Sequence, residues 1–144
     1  MEIKIKTWEK IGSAASVKRG PLWYSLKIEE EWNRYGGTDE WPAYEIIPAS
    51  AWNYGLVVDP NNPAASITLD KENPLAYQPF TPDNAPIVLK DKAKRIPEWK
   101  ADGKMVGKVP PSPVESSLSV EEITLIPMGC ARLRLSVFPL ILED

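Results

Sequence analysis

The sequence predicts an all-β fold, an antiparallel two-sheet β-sandwich of jelly-roll type with long Pro-rich loops and little or no helix. Three observations predict it. Apolar and polar residues alternate at period two, clusters of turn residues recur at sandwich-like intervals, and fifteen prolines leave no long window with helical spacing. At 144 residues and 16.1 kDa the chain fits one domain, 1–144. A chain of that length buries roughly 68–70% of its unfolded surface, so it needs no disulfide or metal staple.

Each element has its own signal. Ile3 and Ile5 alternate with Lys4 and Lys6, and Leu22, Tyr24, Leu26 and Ile28 alternate with Trp23, Ser25, Lys27 and Glu29, as in half-buried strands. Further strands are expected at Ala43 to Ile47, Tyr54 to Val58, Ser66 to Leu69, Ile87 to Lys90, Glu122 to Ile126 and Ala131 to Val137. All are short and rich in Ile, Val, Leu, Tyr or Thr. Turns are expected at Tyr35 to Asp39, Asp59 to Pro63, Thr81 to Asn84 and Ala101 to Lys104, where Gly, Pro, Asn and Asp concentrate. Lys71 to Pro86 and Gly107 to Ser119 read as extended surface loops. Gly20 before Pro21 calls for a sharp turn, because Gly tolerates positive φ and Pro fixes its own near −65°. The central core positions are Leu22, Tyr24, Leu26, Leu125, Leu133 and Leu135.

The most informative stretch for function is WPAYEIIPASAWNYGL, Trp41 to Leu56, with two Trp, two Tyr, two Pro and no Lys or Arg. Aromatic rings bring large apolar area, fixed geometry and a polar handle, which suit a core, an interdomain contact or a sugar platform. Trp41, Tyr44, Trp52 and Tyr54 are therefore the candidate sugar or interdomain contacts. Period-two alternation sets Tyr44 and Ile46 on one side, Glu45 and Ile47 on the other.

Composition narrows the chemistry. The chain has no histidine, which removes the usual general base and His-containing triads and metal sites, and one cysteine, which removes structural zinc and any intrachain disulfide. Cys130 reads as a buried, inert thiol at the start of a strand. No Gly-rich phosphate loop occurs, so no nucleotide cofactor is expected; Asp59, Asn61 and Asn62 read as an Asx-type turn, not a calcium loop. The net charge of −3 and a pI near 5.1 argue against nucleic acid, and the run Lys90, Lys92, Lys94, Arg95 is broken by Asp91. No apolar run approaches a membrane span of about 20 residues, and the N-terminus is no signal peptide, so a soluble chain is expected. What survives is carboxylate chemistry of the glycosidase kind, with Glu29, Glu30, Glu31, Asp39, Glu40 and Glu45 near the aromatic segment. With twenty acids in the chain, such proximity is the chance expectation, and no catalytic pair stands out.

One stretch carries a specific likeness. Val17-Lys18-Arg19-Gly20-Pro21-Leu22-Trp23-Tyr24-Ser25-Leu26-Lys27-Ile28 resembles the VxRGPLVYxLE strand that follows the catalytic barrel in the β-L-arabinofuranosidase-like proteins of glycoside hydrolase family 127. Trp41 to Asp59 and Glu121 to Pro139 are similar to later segments of large bacterial members, in the same order. The resemblance implies a C-terminal β-sandwich of a carbohydrate-active enzyme, whose (α/α)6 barrel holds a zinc-bound cysteine nucleophile and acidic residues. The barrel's motifs are missing from this chain, Cys130 does not sit in them, and no catalytic, cofactor or metal residue is carried over. Arg19, in the first stretch, is expected to be a structural anchor, its planar fork capping carbonyls or pairing with a carboxylate such as Glu45.

The expected function is thus that of a non-catalytic accessory domain, excised from a larger bacterial enzyme, that packs on a catalytic barrel and helps shape its sugar cleft. Its partner is that barrel, with oligosaccharide as a second ligand; neither nucleic acid nor membrane is expected. Two alternatives stand beside it, a carbohydrate-binding module using the aromatic platform and a self-association domain. The sequence assigns neither a compartment nor the parent's substrate.

Overall fold

The computed structural model describes residues 2–37, 42–72, 81–102 and 105–142, with the backbone alone at 34–35, 42–45, 71–72, 84 and 105. The all-β prediction holds: among the described residues the only helical pieces are three 3-10 turns of three residues, Glu9–Ile11, Pro82–Asn84 and Met128–Cys130. The strands are β1 (Ile3–Trp8), β2 (Ala14–Arg19), β3 (Leu22–Leu26), β4 (Glu30–Gly37), β5 (Pro42–Pro48), β6 (Tyr54–Val58), β7 (Thr68–Glu72), β8 (Ile87–Arg95), β9 (Ala101–Asp102), β10 (Met105–Val106), β11 (Glu121–Pro127) and β12 (Leu140–Leu142).

Among the described residues eight strands form one curled sheet in the order β1-β2-β3-β11-β8-β6-β12, with β7 beside β6 on the same edge of β8. The antiparallel two-sheet sandwich is corrected in this respect: β12 runs parallel to β6, Leu140 opposite Leu56, so the sheet is mixed and does not divide cleanly in two. Curling brings the ends together. Ala15 of β2 exchanges two backbone hydrogen bonds with Phe138, N–H to Phe138 O at 2.7 Å and O from Phe138 N–H at 2.8 Å, and Leu26 N–H donates to Leu135 O at 2.9 Å. Residues 135–138 thus wedge between β2 and β3 before β12 reaches β6. The strand expected over Ala131 to Val137 is this wedge, which makes isolated bonds and no ladder.

The turn chemistry explains the start of the sheet. Gly20 has φ 59°, and Arg19 pairs with Leu22 across Gly20-Pro21, so positive then negative φ gives a two-residue hairpin of the primed class that matches strand twist. The core lies inside the curl, where Val17, Tyr24, Leu26, Leu56, Leu89, Leu125 and Phe138 are at most 2% exposed. Leu135 joins them, and Leu22 and Leu133 pack on the cluster from its rim. A smaller cluster of Ala85, Ile126, Cys130 and Ala131 covers the outer face of β11, and burial pushes the Cys130 thiol up. The expected Asx turn is present, Asn61 N–H donating to Asp59 Oδ1 at 2.9 Å.

Candidate functional site

The aromatic segment is divided between two places. Its first half is β5, which among the described residues pairs only with β4, as a two-stranded ribbon outside the eight-stranded sheet. Its second half is β6, buried at every residue. The division falls at Ala49 to Asn53, where the chain leaves the ribbon: Ala49 N–H donates to Glu29 O and Ser50 Oγ accepts from Glu29 N–H, which closes the ribbon's base.

Of the four candidate aromatics, Trp52 and Tyr54 have described side chains, and both pack into the core wall. Tyr54 is 9% exposed and its hydroxyl donates to Glu121 Oε1 at 3.3 Å; burial first, and the Glu121 charge second, push its phenol up. Trp52 meets Trp99 edge to face, with centroids 5.3 Å apart and planes at 81°. Trp99 is itself buried and donates its indole N–H to Gly107 O at 3.1 Å. Asn53, between the two candidates, holds this wall by donating to Ile96 O and Trp99 O at 2.9 and 3.2 Å. Trp41 lies outside the described residues, as do the side chains of Tyr44 and Glu45; β5 keeps Tyr44 and Ile46 on one parity, opposite Arg34 and Trp32 of β4. Arg19 lies by Tyr24. Desolvation raises the Tyr24 phenol, and the nearby Arg19 guanidinium partly offsets this.

The ribbon shows an aromatic that the sequence reading passed over. Trp32 of β4 is 49% exposed, with the Arg132 guanidinium 5.4 Å from its ring centroid. Arg132 also pairs with Glu30 Oε1 at 2.8 Å, so one side chain of the main body ties two residues of the ribbon. The cross-strand match of 30–37 with 42–48 over the Gly36-Gly37 doublet was the available signal for β4. Glu29-Glu30-Glu31 hid it, because charges on an unburied ribbon leave no apolar alternation.

Two polar features lie elsewhere in the fold. Between the 3-10 turn at 82–84 and the outer face of β8 lies a cleft of about 270 Å³ holding the Lys27–Asp83 pair at 3.2 Å and Lys90, which donates to Thr124 Oγ1 at 2.7 Å. Inside, Asp91 is 2% exposed at the point where β8 exchanges β7 for β6 as its neighbour. Its Oδ1 accepts from Lys92 N–H at 2.7 Å and from Ser66 Oγ at 2.9 Å, its Oδ2 has no partner among the described residues, and burial pushes its carboxyl up to about 6. Among the described residues no group of three His, Cys, Asp or Glu side chains is arranged to hold a metal ion, and no helix is long and apolar enough to cross a membrane. Comparison with known protein families, with curated proteins and with solved structures finds no match to this chain.

Proposed function

We propose that this chain is a non-catalytic accessory β-domain of a carbohydrate-active enzyme, seated on an (α/α)6 catalytic barrel through the β4–β5 ribbon. The observation that carries the reading is the ribbon itself. Two strands alone are marginal in water, and this pair lies outside the sheet with a half-exposed Trp32 on it. An aromatic ring on such an arm is the kind of anchor that dominates binding energy when a partner surface closes over it. Arg132 presets the ring, lowering the entropy lost on docking.

The resemblance to family 127 sandwiches supports the same reading. The first and third similar stretches meet as the β3–β11 pair, and the second supplies β5 and β6, so all three take part in either the sheet or the ribbon. Arabinofuranoside-containing plant glycans are then the parent's substrate class, and the domain contributes position and shape to that chemistry.

The test mixes the chain with a family 127 catalytic barrel stripped of its own C-terminal sandwich. A complex should form by calorimetry, Trp32→Ala should weaken it about tenfold or more, and the chain alone should not hydrolyse arabinofuranosides. Hydrolysis by the homogeneous chain, or a complex indifferent to Trp32→Ala, would overturn the proposal.

A further inference from the structure

The outer face of β1-β2-β3 carries a second aromatic pair that the docking proposal does not use. Strand register puts Lys4, Lys6 and Trp8 of β1, Ser16 and Lys18 of β2 and Trp23 of β3 on one face, opposite the face of Ile5 and Val17 that joins the core. Strands two apart are separated by about 9.5 Å, yet the Trp8 and Trp23 centroids are 6.1 Å apart, so the two indoles lean together over β2. Their planes differ by 41°. The pair makes a shallow V, not a flat floor.

The V is fixed from below, and each of its rings carries an ammonium over it. Trp8 Nε1 donates to Ser16 Oγ at 3.0 Å, and Ser16 donates to Ser136 O at 2.7 Å, so the wedge that closes the sheet also orients this ring. The chain after Trp8 is held too: Gly12 O accepts from Ser112 N–H at 2.7 Å. Lys6 Nζ stands over the Trp8 ring, 4.3 Å from its centroid, and Lys18 Nζ over the Trp23 ring, 5.2 Å from its centroid. Charge is segregated in the same sense. Residues 2–26 hold five cations and two acids, whereas the remainder of the chain holds twelve and eighteen.

From this arrangement we infer that the Trp8–Trp23 trough binds a soluble acidic glycan, one bearing a uronate carboxylate on successive rings. A sugar ring turns a face of C–H bonds to an indole, whose π-face is negative; the flexible lysine that covers that face swings aside and its ammonium meets the carboxylate. One carboxylate per ring matches one lysine per tryptophan. The V suits a chain whose successive rings are rotated, and disfavours the flat face of a crystalline polysaccharide. A single-stranded nucleic acid would also stack, but it needs a continuous basic groove, and the surrounding chain is acidic.

The experiment titrates the whole chain with oligogalacturonate, with a neutral arabino-oligosaccharide and with oligothymidylate, following tryptophan fluorescence and calorimetric heat. Oligogalacturonate should bind best and lose affinity as salt rises, since its carboxylates are read by exposed ammonium groups. Trp23→Ala should weaken it about tenfold or more, and the double change Lys6→Glu with Lys18→Glu, which keeps both indoles, should abolish the salt dependence and most of the affinity. Trp32→Ala should leave glycan binding unchanged, so the trough and the docking ribbon fail or stand separately. Absence of oligogalacturonate binding, equal binding of the neutral glycan, tighter binding of oligothymidylate, or loss of binding in Trp32→Ala would each overturn the inference.

Discussion

Trp52 packs edge to face on Trp99, with centroids 5.3 Å apart and planes at 81°. This contact turns the second half of the aromatic segment into core wall and leaves the ribbon as the half that faces outward. Trp99→Ala removes a fully buried ring and should cost about 3–5 kcal/mol in urea unfolding, with Trp52→Ala costing less. A double-mutant cycle between the two should return a coupling of about 0.5–1.5 kcal/mol; a coupling near zero would mean that the rings are independent.

Closure of the sheet depends on Phe138, which is fully buried and bonded through its backbone to Ala15. Phe138→Ala should cost about 3–5 kcal/mol. The amides of Ala15 and Leu26, which donate into the wedge, should then exchange faster than those of the β8–β11 ladder. Uniform acceleration across all strands would argue against a separable closure.

Asp91 sets a pH dependence of stability. Its carboxyl is held near 6, above the ordinary 3.8, because burial disfavours the charged form more than Ser66 and Lys92 N–H favour it. The folded state therefore binds the proton more tightly than the unfolded chain. Stability from this group is fully present below about pH 4 and is lost as pH rises toward and through about 6, by about 3 kcal/mol in all. Asp91→Asn should remove that fall from the pH profile of urea midpoints between 4 and 7. Identical profiles for the two proteins would contradict the assignment.

How far the sequence could be read depended on burial. Strands half-buried by one face, such as β1 and β8, alternate along most of their length, and positive φ at Gly20 follows from Gly-Pro chemistry. Two of the longer strands escaped because they break that condition in opposite ways. In β2, Ala14 to Val17 are all buried, since the wedge at Ser136 covers Ser16 from outside while the core takes Val17. In β4, the ribbon buries too little for any pattern to form, and Trp32 stood among charges. Asp91 looked like an interruption in a basic run; strand alternation instead turns it inward with Leu89 and Ala93 while Lys92 faces solvent. The parallel β6–β12 pair has no local signature, because it joins segments more than eighty residues apart.

The central claim, that the β4–β5 ribbon is the docking element, is tested most directly by hydrogen exchange on the chain with and without the catalytic barrel. The account predicts slower exchange confined to residues 30–37 and 42–48, with β1-β2-β3 unchanged. Protection of β1-β2-β3 or β8 with the ribbon unaltered would contradict it.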